Sequence, residues 1–317
     1  MAGSNLPGPR GTDSPHDPVP EGLLGRSFAY PGPIRRGARV APEDDAGPEG
    51  RSATPQQRAE KLVDRFAARV GAGSFTAISR KRVADGLRVR IWAPSAIDQG
   101  TSSLCGPASL LFDVATRDPE AYVRYVTSLW ETGQGRIGRI DVRPGTDLKA
   151  FDPGRNVEAS DWIALASLRD SENWFFDYQE DSDALAGITL PGELEGWFKK
   201  AGYTEVVNDA RAIVDKDEAC LRRADDYFRN GFRVCIFIHS NMLSPSTQGN
   251  GSATADHWVV QTGRVTFGAT MIEGKPATTV SLRIFTWGEG RRAVPQAGVL
   301  PLDAFLDNFY GFVAARY

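Results

Sequence analysis

Cysteine and histidine are scarce in this chain, three of each among 317 residues. The cysteines Cys105, Cys220 and Cys235 are too few for the disulfide framework of a small secreted domain, and a reducing compartment suits them better. Neither CxxC nor HxxxH occurs, so the ligand spacings of a metal centre are missing and no cofactor is expected. Charge of one sign is lacking as well: a formal net charge of -3 speaks against a general nucleic-acid binder, which needs a clustered positive surface to neutralise phosphates. No apolar run approaches the about 20 residues of a membrane span. The first residues, Met1 to Pro20, have no apolar core of a secretory signal, so the expected location is cytoplasmic or reached by a specialised, signal-peptide-independent route.

What is present divides the chain in two. Residues 1–54 are rich in Pro, Gly, Ser and charge, too poor in apolar surface to offset the entropy of ordering, and read as a disordered leader. Residues 55–317 read as one domain of α+β class, a helical first half packed on a C-terminal antiparallel sheet.

The stretch with most chemistry is Asp98-Gln99-Gly100-Thr101-Ser102-Ser103-Leu104-Cys105-Gly106-Pro107-Ala108-Ser109. A polar loop delivers Cys105 to the head of an apolar helical run, with Pro107 in the first turn, where no amide hydrogen is needed. Unpaired amides and the dipole at a helix N-terminus favour thiolate, the form that attacks carbonyl carbon. A base is then required, and His257, at the start of the apolar strand Trp258-Val259-Val260, is the candidate. His239 reads as a loop residue near the site. Cys220, on a helix after an acidic run, and Cys235, inside the strand pattern 232–238, read as small core hydrophobes.

Gln99 precedes Cys105 by six residues, and with Cys105-Gly106-Pro107-Ala108 and His257-Trp258-Val259-Val260 it resembles the papain-like cysteine peptidase superfamily. In wording it is closest to the bacterial branch of bacteriocin-processing peptidases and papain-fold toxins. The resemblance implies that Gln99 is the oxyanion-hole residue. It also implies a third residue orienting the imidazole, an Asn or Asp on a later strand. Here Phe285-Thr286-Trp287-Gly288 resembles that strand's Asn-Ser-Trp-Gly ending, but Phe285 stands where the asparagine belongs. Thr286 is the first candidate in its place, Glu289 the second and Gln261 the third.

In chain order, Thr54-Pro55 opens a helix with Ala59, Leu62, Val63, Phe66 and Val70 at helical spacing. Residues 75–78 and 87–92 alternate like strands around an Ala84-Asp85-Gly86 turn, with Arg80, Lys81, Arg82, Arg88 and Arg90 on a solvent face. Asp118-Pro119 opens another helix, residues 133–138 form a Gly-rich connection, and a helix over 161–170 is capped by Ser160 or Asp161. The run Asn173-Trp174-Phe175-Phe176-Asp177-Tyr178 reads as a recognition surface or as packing on that helix. Helices after Thr189 and over 221–230 follow. Next come the strand 232–238, a polar loop 239–256 rimming the site, and strands over 259–263, 269–272, 280–287 and 292–294. A C-terminal helix over 302–314, capped by Asp303, ends the chain.

The expected function is that of a cysteine protease, a thiol hydrolase cleaving a peptide or amide bond through a thioester acyl-enzyme. The alternatives are a deamidase or acyltransferase on the same site, or a non-catalytic binding module. Expected partners are a protein or peptide substrate and, from the resemblance to bacterial toxins and effectors, an inhibitory immunity protein or chaperone.

Overall fold

The computed structural model describes residues 52–172, 188–211, 216–244, 251, 254–286 and 290–317. The leader up to residue 51, the 173–178 run, Glu289 and, within the 239–256 loop, residues 245–250 and 252–253 lie outside the described residues. Ser52–Tyr317 form one compact unit.

Helix α1 (Pro55–Ala67) starts as its residues dictate. Thr54 accepts from the amide of Gln57, whose side chain returns a bond to Thr54, and Pro55 occupies the first position. It buries Ala59, Val63 and Phe66 and stops at Ala67, leaving Val70 beyond it and exposed.

The expected hairpin over 75–92 is replaced by a helix, α2 (Arg80–Trp92), capped by Ser79. Val83, Ala84, Leu87 and Ile91 share its buried face, a spacing of 3.6 that the apolar-basic alternation of 87–92 imitates with a period of two. Gly86 is no turn residue: the carboxyl of Glu158 and the hydroxyl of Ser160 stand where its Cβ would be. Nor do the basic residues form one solvated face. Arg80 donates to Glu131 at 2.8 Å and lies over the Trp130 ring, Arg82 pairs with Asp152, Arg88 with Asp64 and Lys81 with Asp85. Arg90 is buried against Asp161.

Helix α3 (Cys105–Arg117) begins at the cysteine and is buried from Cys105 through Ala115. Asp118 caps α4 (Pro119–Thr132) by accepting from the Ala121 amide at 2.8 Å. The Gly-rich connection forms half of a hairpin, β1 (Gly135–Ile137) with β2 (Ile140–Val142), followed by the short α5 (Thr146–Ala150). The next helical run is α6 (Ala159–Asp161), a π-turn over Trp162–Ala166 and α7 (Ser167–Glu172). Its cap is Glu158, which accepts from the Ser160 amide; Asp161, expected as a cap, lies inside and carries the ion pair to Arg90. Helix α8 (Pro191–Lys200) buries Leu194, Trp197 and Phe198.

Seven strands build an antiparallel sheet in the order β3-β9-β4-β5-β7-β6, with β8 also paired to β7. They are β3 (Glu205–Asn208), β4 (Arg233–Ile238), β5 (His257–Gln261), β6 (Thr266–Ile272), β7 (Lys275–Phe285), β8 (Arg291–Val294) and β9 (Phe309–Arg316). Side chains alternate between two cores. Cys235, Phe237, Trp258, Val260, Phe285 and Val313 join the core of α1 to α4, whereas Val234, Ile236, Val259, Ile284 and Phe312 face α9 (Glu218–Arg229) and α10 (Leu302–Leu306). The molecule is therefore α+β, with an antiparallel sheet.

The expected C-terminal helix ends early. Helix α10 stops at Leu306, Pro301 rather than Asp303 holds its cap position, and the rest is β9, hydrogen-bonded to β3 and β4. Covered on both faces, β9 is buried from Phe309 through Ala315 and lacks the alternation that marks a half-exposed strand.

Candidate functional site

The head of α3 and the start of β5 meet. Cys105 is the first residue of the one, His257 the first of the other, and α3 packs against β5. Two stacked pairs set this approach: Phe112 of α3 on Phe285 of β7, centroids 4.2 Å apart, and Phe237 of β4 on Trp258 of β5, also 4.2 Å. Trp258 Nε1 also donates to the Thr189 carbonyl at 2.7 Å, fastening β5 to the lead-in of α8. Phe285, at the position where the resemblance places an asparagine, is thus a core residue.

Cys105, His257 and Gln99 line one pocket of about 230 Å³, together with Gly100, Thr101, Ser102, Ser103, Ser240 and Asp256. Thr286 reaches the His257 ring: its Oγ1 stands 2.8 Å from Nε2. The strand register explains this. Val260 is paired with Phe285, so continuation of the ladder brings Thr286 level with Val259, two residues along from His257. The four sequence candidates are therefore gathered at one place. Of the other third-residue candidates, Gln261 donates instead to Asp225 at 3.1 Å and to the Gly263 carbonyl, on the far core, and Glu289 lies outside the described residues.

The electrostatics differ from what the helix dipole alone suggests. Burial pushes the Cys105 thiol up to about 11; the Trp258 and Gly106 backbone amides oppose this, Asp256 adds to it, and Arg169 opposes it. Burial likewise pulls His257 down to about 3. The resting pair at neutral pH is accordingly a thiol and a neutral imidazole, because desolvation outweighs the favourable end of the helix.

His239 caps the short 3-10 turn Ser240–Leu243, its Nδ1 accepting from the Asn241 amide at 3.1 Å. Asp256 accepts from the amide and hydroxyl of Ser240 at 2.6 and 2.7 Å, which closes the loop's two ends beside the pocket. Ser240 and Asp256 belong to the polar loop 239–256 that the sequence places at the rim of the site, though neither is an individual candidate there. Cys220 is buried on α9 and contacts Asp209, and Cys235 is buried in β4, both away from the pocket. Among the described residues no group of three or more His, Cys, Asp or Glu side chains is placed to hold a metal ion. No helix among them is long and apolar enough to cross a membrane.

Compared with protein-family models and with curated proteins, the chain matches none.

Proposed function

We propose that the protein is a papain-like cysteine hydrolase acting on a peptide or amide bond. The observation that carries this reading is the shared pocket: a cysteine at a helix head and a histidine at a strand start, brought together from opposite halves of the domain. The order of a nucleophile helix followed by a histidine-bearing antiparallel sheet also supports a papain-like layout.

Cys105 Sγ attacks the carbonyl carbon as its proton passes to His257. With Nε2 committed to Thr286, the proton goes to Nδ1. Because thiol and imidazole are both neutral at rest, transfer and attack are coupled, as in general-base catalysis. The developing oxyanion is met by the Gln99 side-chain amide and by the Cys105 amide, a first-turn donor that no intrahelical carbonyl receives. The imidazolium then protonates the leaving amine, and water attacks the thioester by the reverse route, releasing acid and free thiol. The partner is a protein or peptide substrate, and the resemblance to bacterial toxins extends the proposal to an effector with an inhibitory immunity protein.

The test is proteome-wide mass spectrometry of a lysate treated with wild-type protein or Cys105→Ala, both checked for fold by circular dichroism. New peptide termini produced only by wild type establish the peptidase, and Gln-to-Glu mass shifts without cleavage establish a deamidase. Neither change in the presence of intact fold overturns the hydrolase reading.

A further inference from the structure

A buried ion pair lies behind the loop that carries Gln99. Arg90 of α2 donates Nε to Asp161 Oδ1 at 3.1 Å and Nη2 to Asp161 Oδ2 at 2.5 Å, a two-bond fork. Asp161 is fully buried and Arg90 nearly so. Taking both charges out of water costs about as much as their attraction returns, so stability alone is a weak account of the pair.

A third bond supplies a better one. Asp161 Oδ2 also accepts from the backbone amide of Asp98 at 2.9 Å. The Asp98 carboxylate in turn accepts from the Gly100 amide at 2.7 Å, so the amides on both sides of Gln99 are held. The Gln99 carbonyl accepts from the Ser102 amide at 3.2 Å and hydroxyl at 2.5 Å, and Thr101 Oγ1 donates to Asn156 at 3.1 Å. Gly100 has φ 57, and the Asn156 carbonyl occupies the place of a Cβ, so the backbone can pass there only as glycine. Held this way, Gln99 keeps its side chain buried on the pocket wall, and its Oε1 has no hydrogen-bond partner among the described residues. A buried carboxamide left so is unfavourable and persists where its backbone is imposed from outside.

We propose that Asp161, oriented by Arg90, is the positioning residue of the oxyanion loop: it fixes Gln99 relative to Cys105 without touching the substrate. This rests on the acyl-transfer reading above. A displacement of about 1 Å in a catalytic group costs about 100-fold, the scale of losing an oxyanion donor altogether.

Two reactions of Cys105 in the full chain separate positioning from mere structure. Acylation by p-nitrophenyl acetate forms the thioester, expels p-nitrophenolate, sends the thiol proton to His257 and passes through an oxyanion. Alkylation by iodoacetamide displaces iodide and forms none. Asp161→Asn is expected to slow acylation about 10- to 100-fold while alkylation changes by less than about 2-fold. Adding Gln99→Ala to that variant is expected to cost far less than Gln99→Ala does alone. If Asp161→Asn does not unfold cooperatively, Arg90→Lys, which keeps a cation but loses the fork, is read by the same ratio. Acylation at the wild-type rate, or an equal fall in both reactions, overturns the positioning role. Wild-type Cys105 acylating no faster than Cys220 overturns the acyl-transfer reading itself and the proposal with it.

Discussion

His257 Nε2 stands 2.8 Å from Thr286 Oγ1, tying the first residue of β5 to the residue that follows β7. A hydroxyl in this position orients the ring but brings no charge. The imidazole therefore has the full cost of burial against its protonated form, which is why it is pulled down to about 3. In the proposed cycle the pair reacts as neutral partners, and the weak point is the transient imidazolium.

Replacing Thr286 tests orientation separately from charge. Thr286→Val keeps the shape and removes the bond, worth about 0.5–1.5 kcal/mol, so Cys105 acylation is expected to fall about 2- to 13-fold. Thr286→Ser retains the hydroxyl and is expected to stay near wild type. Thr286→Asp adds a neighbouring negative charge and is expected to raise the His257 pKa, read by NMR titration. A Thr286→Val protein acylating at the wild-type rate would remove Thr286 from the site.

The buried neutral imidazole makes stability fall with acid. The unfolded chain protonates His257 at its ordinary value of 6.5, the folded chain only at about 3, so between those values the unfolded state binds the extra proton. The contribution is present above 6.5 and is lost as pH falls through this window. From pH 7 to pH 5 it amounts to at most about 2 kcal/mol. Urea unfolding at both pH values should show that loss in wild type and a smaller one in His257→Gln; equal slopes would mean that His257 is not buried neutral.

Cys105 should label like a thiol of raised pKa. With the thiol pushed up to about 11, its alkylation by iodoacetamide is expected to rise about tenfold per pH unit from pH 7 to 10. Asp256→Asn removes a neighbouring negative charge and is expected to speed labelling at fixed pH. Cys220, pushed up to about 12 by burial and then by Asp209, should lag behind. A plateau near pH 7 would instead establish a resting thiolate, with proton transfer complete before attack rather than coupled to it.

Where the local signal was unambiguous, sequence and structure agree. Thr54-Pro55, Asp118-Pro119 and the apolar run after Cys105 mark helix starts by capping and periodicity, which act within one turn. The same locality makes Cys105 and His257 readable as candidates, whereas Gln99 and Thr286 are reached through the resemblance to papain-like peptidases. The failures came where distant contacts decide. Residues 87–92 suit a strand or a helix, and what separates these is Arg90, which a half-exposed strand would put in water and which the fold buries on Asp161. Phe305, Leu306, Phe309, Phe312 and Val313 satisfy a helical spacing, yet a strand covered on both faces is apolar at every position and leaves no periodicity to read. Asp161 itself shows in sequence only as a helix-cap residue, because its role depends on a partner 71 residues away.

The misread C-terminus yields the sharpest stability prediction. Gly311 lies in β9 with φ 103, and the Asp209 carbonyl occupies the position a Cβ would need. In a helix, the conformation expected from sequence, alanine there would stabilise. In this strand it forces a rare backbone geometry and pushes against main chain that cannot move aside, so Gly311→Ala is expected to cost about 2–3 kcal/mol or more. Gly196 is the matched control. It lies inside α8 with nothing within 4 Å of a built Cβ, and Gly196→Ala is expected to add about 0.5–1 kcal/mol by helix propensity alone. Chemical denaturation of the two variants gives opposite signs if residues 309–316 form the strand between β3 and β4, and the same stabilising sign if they form a helix.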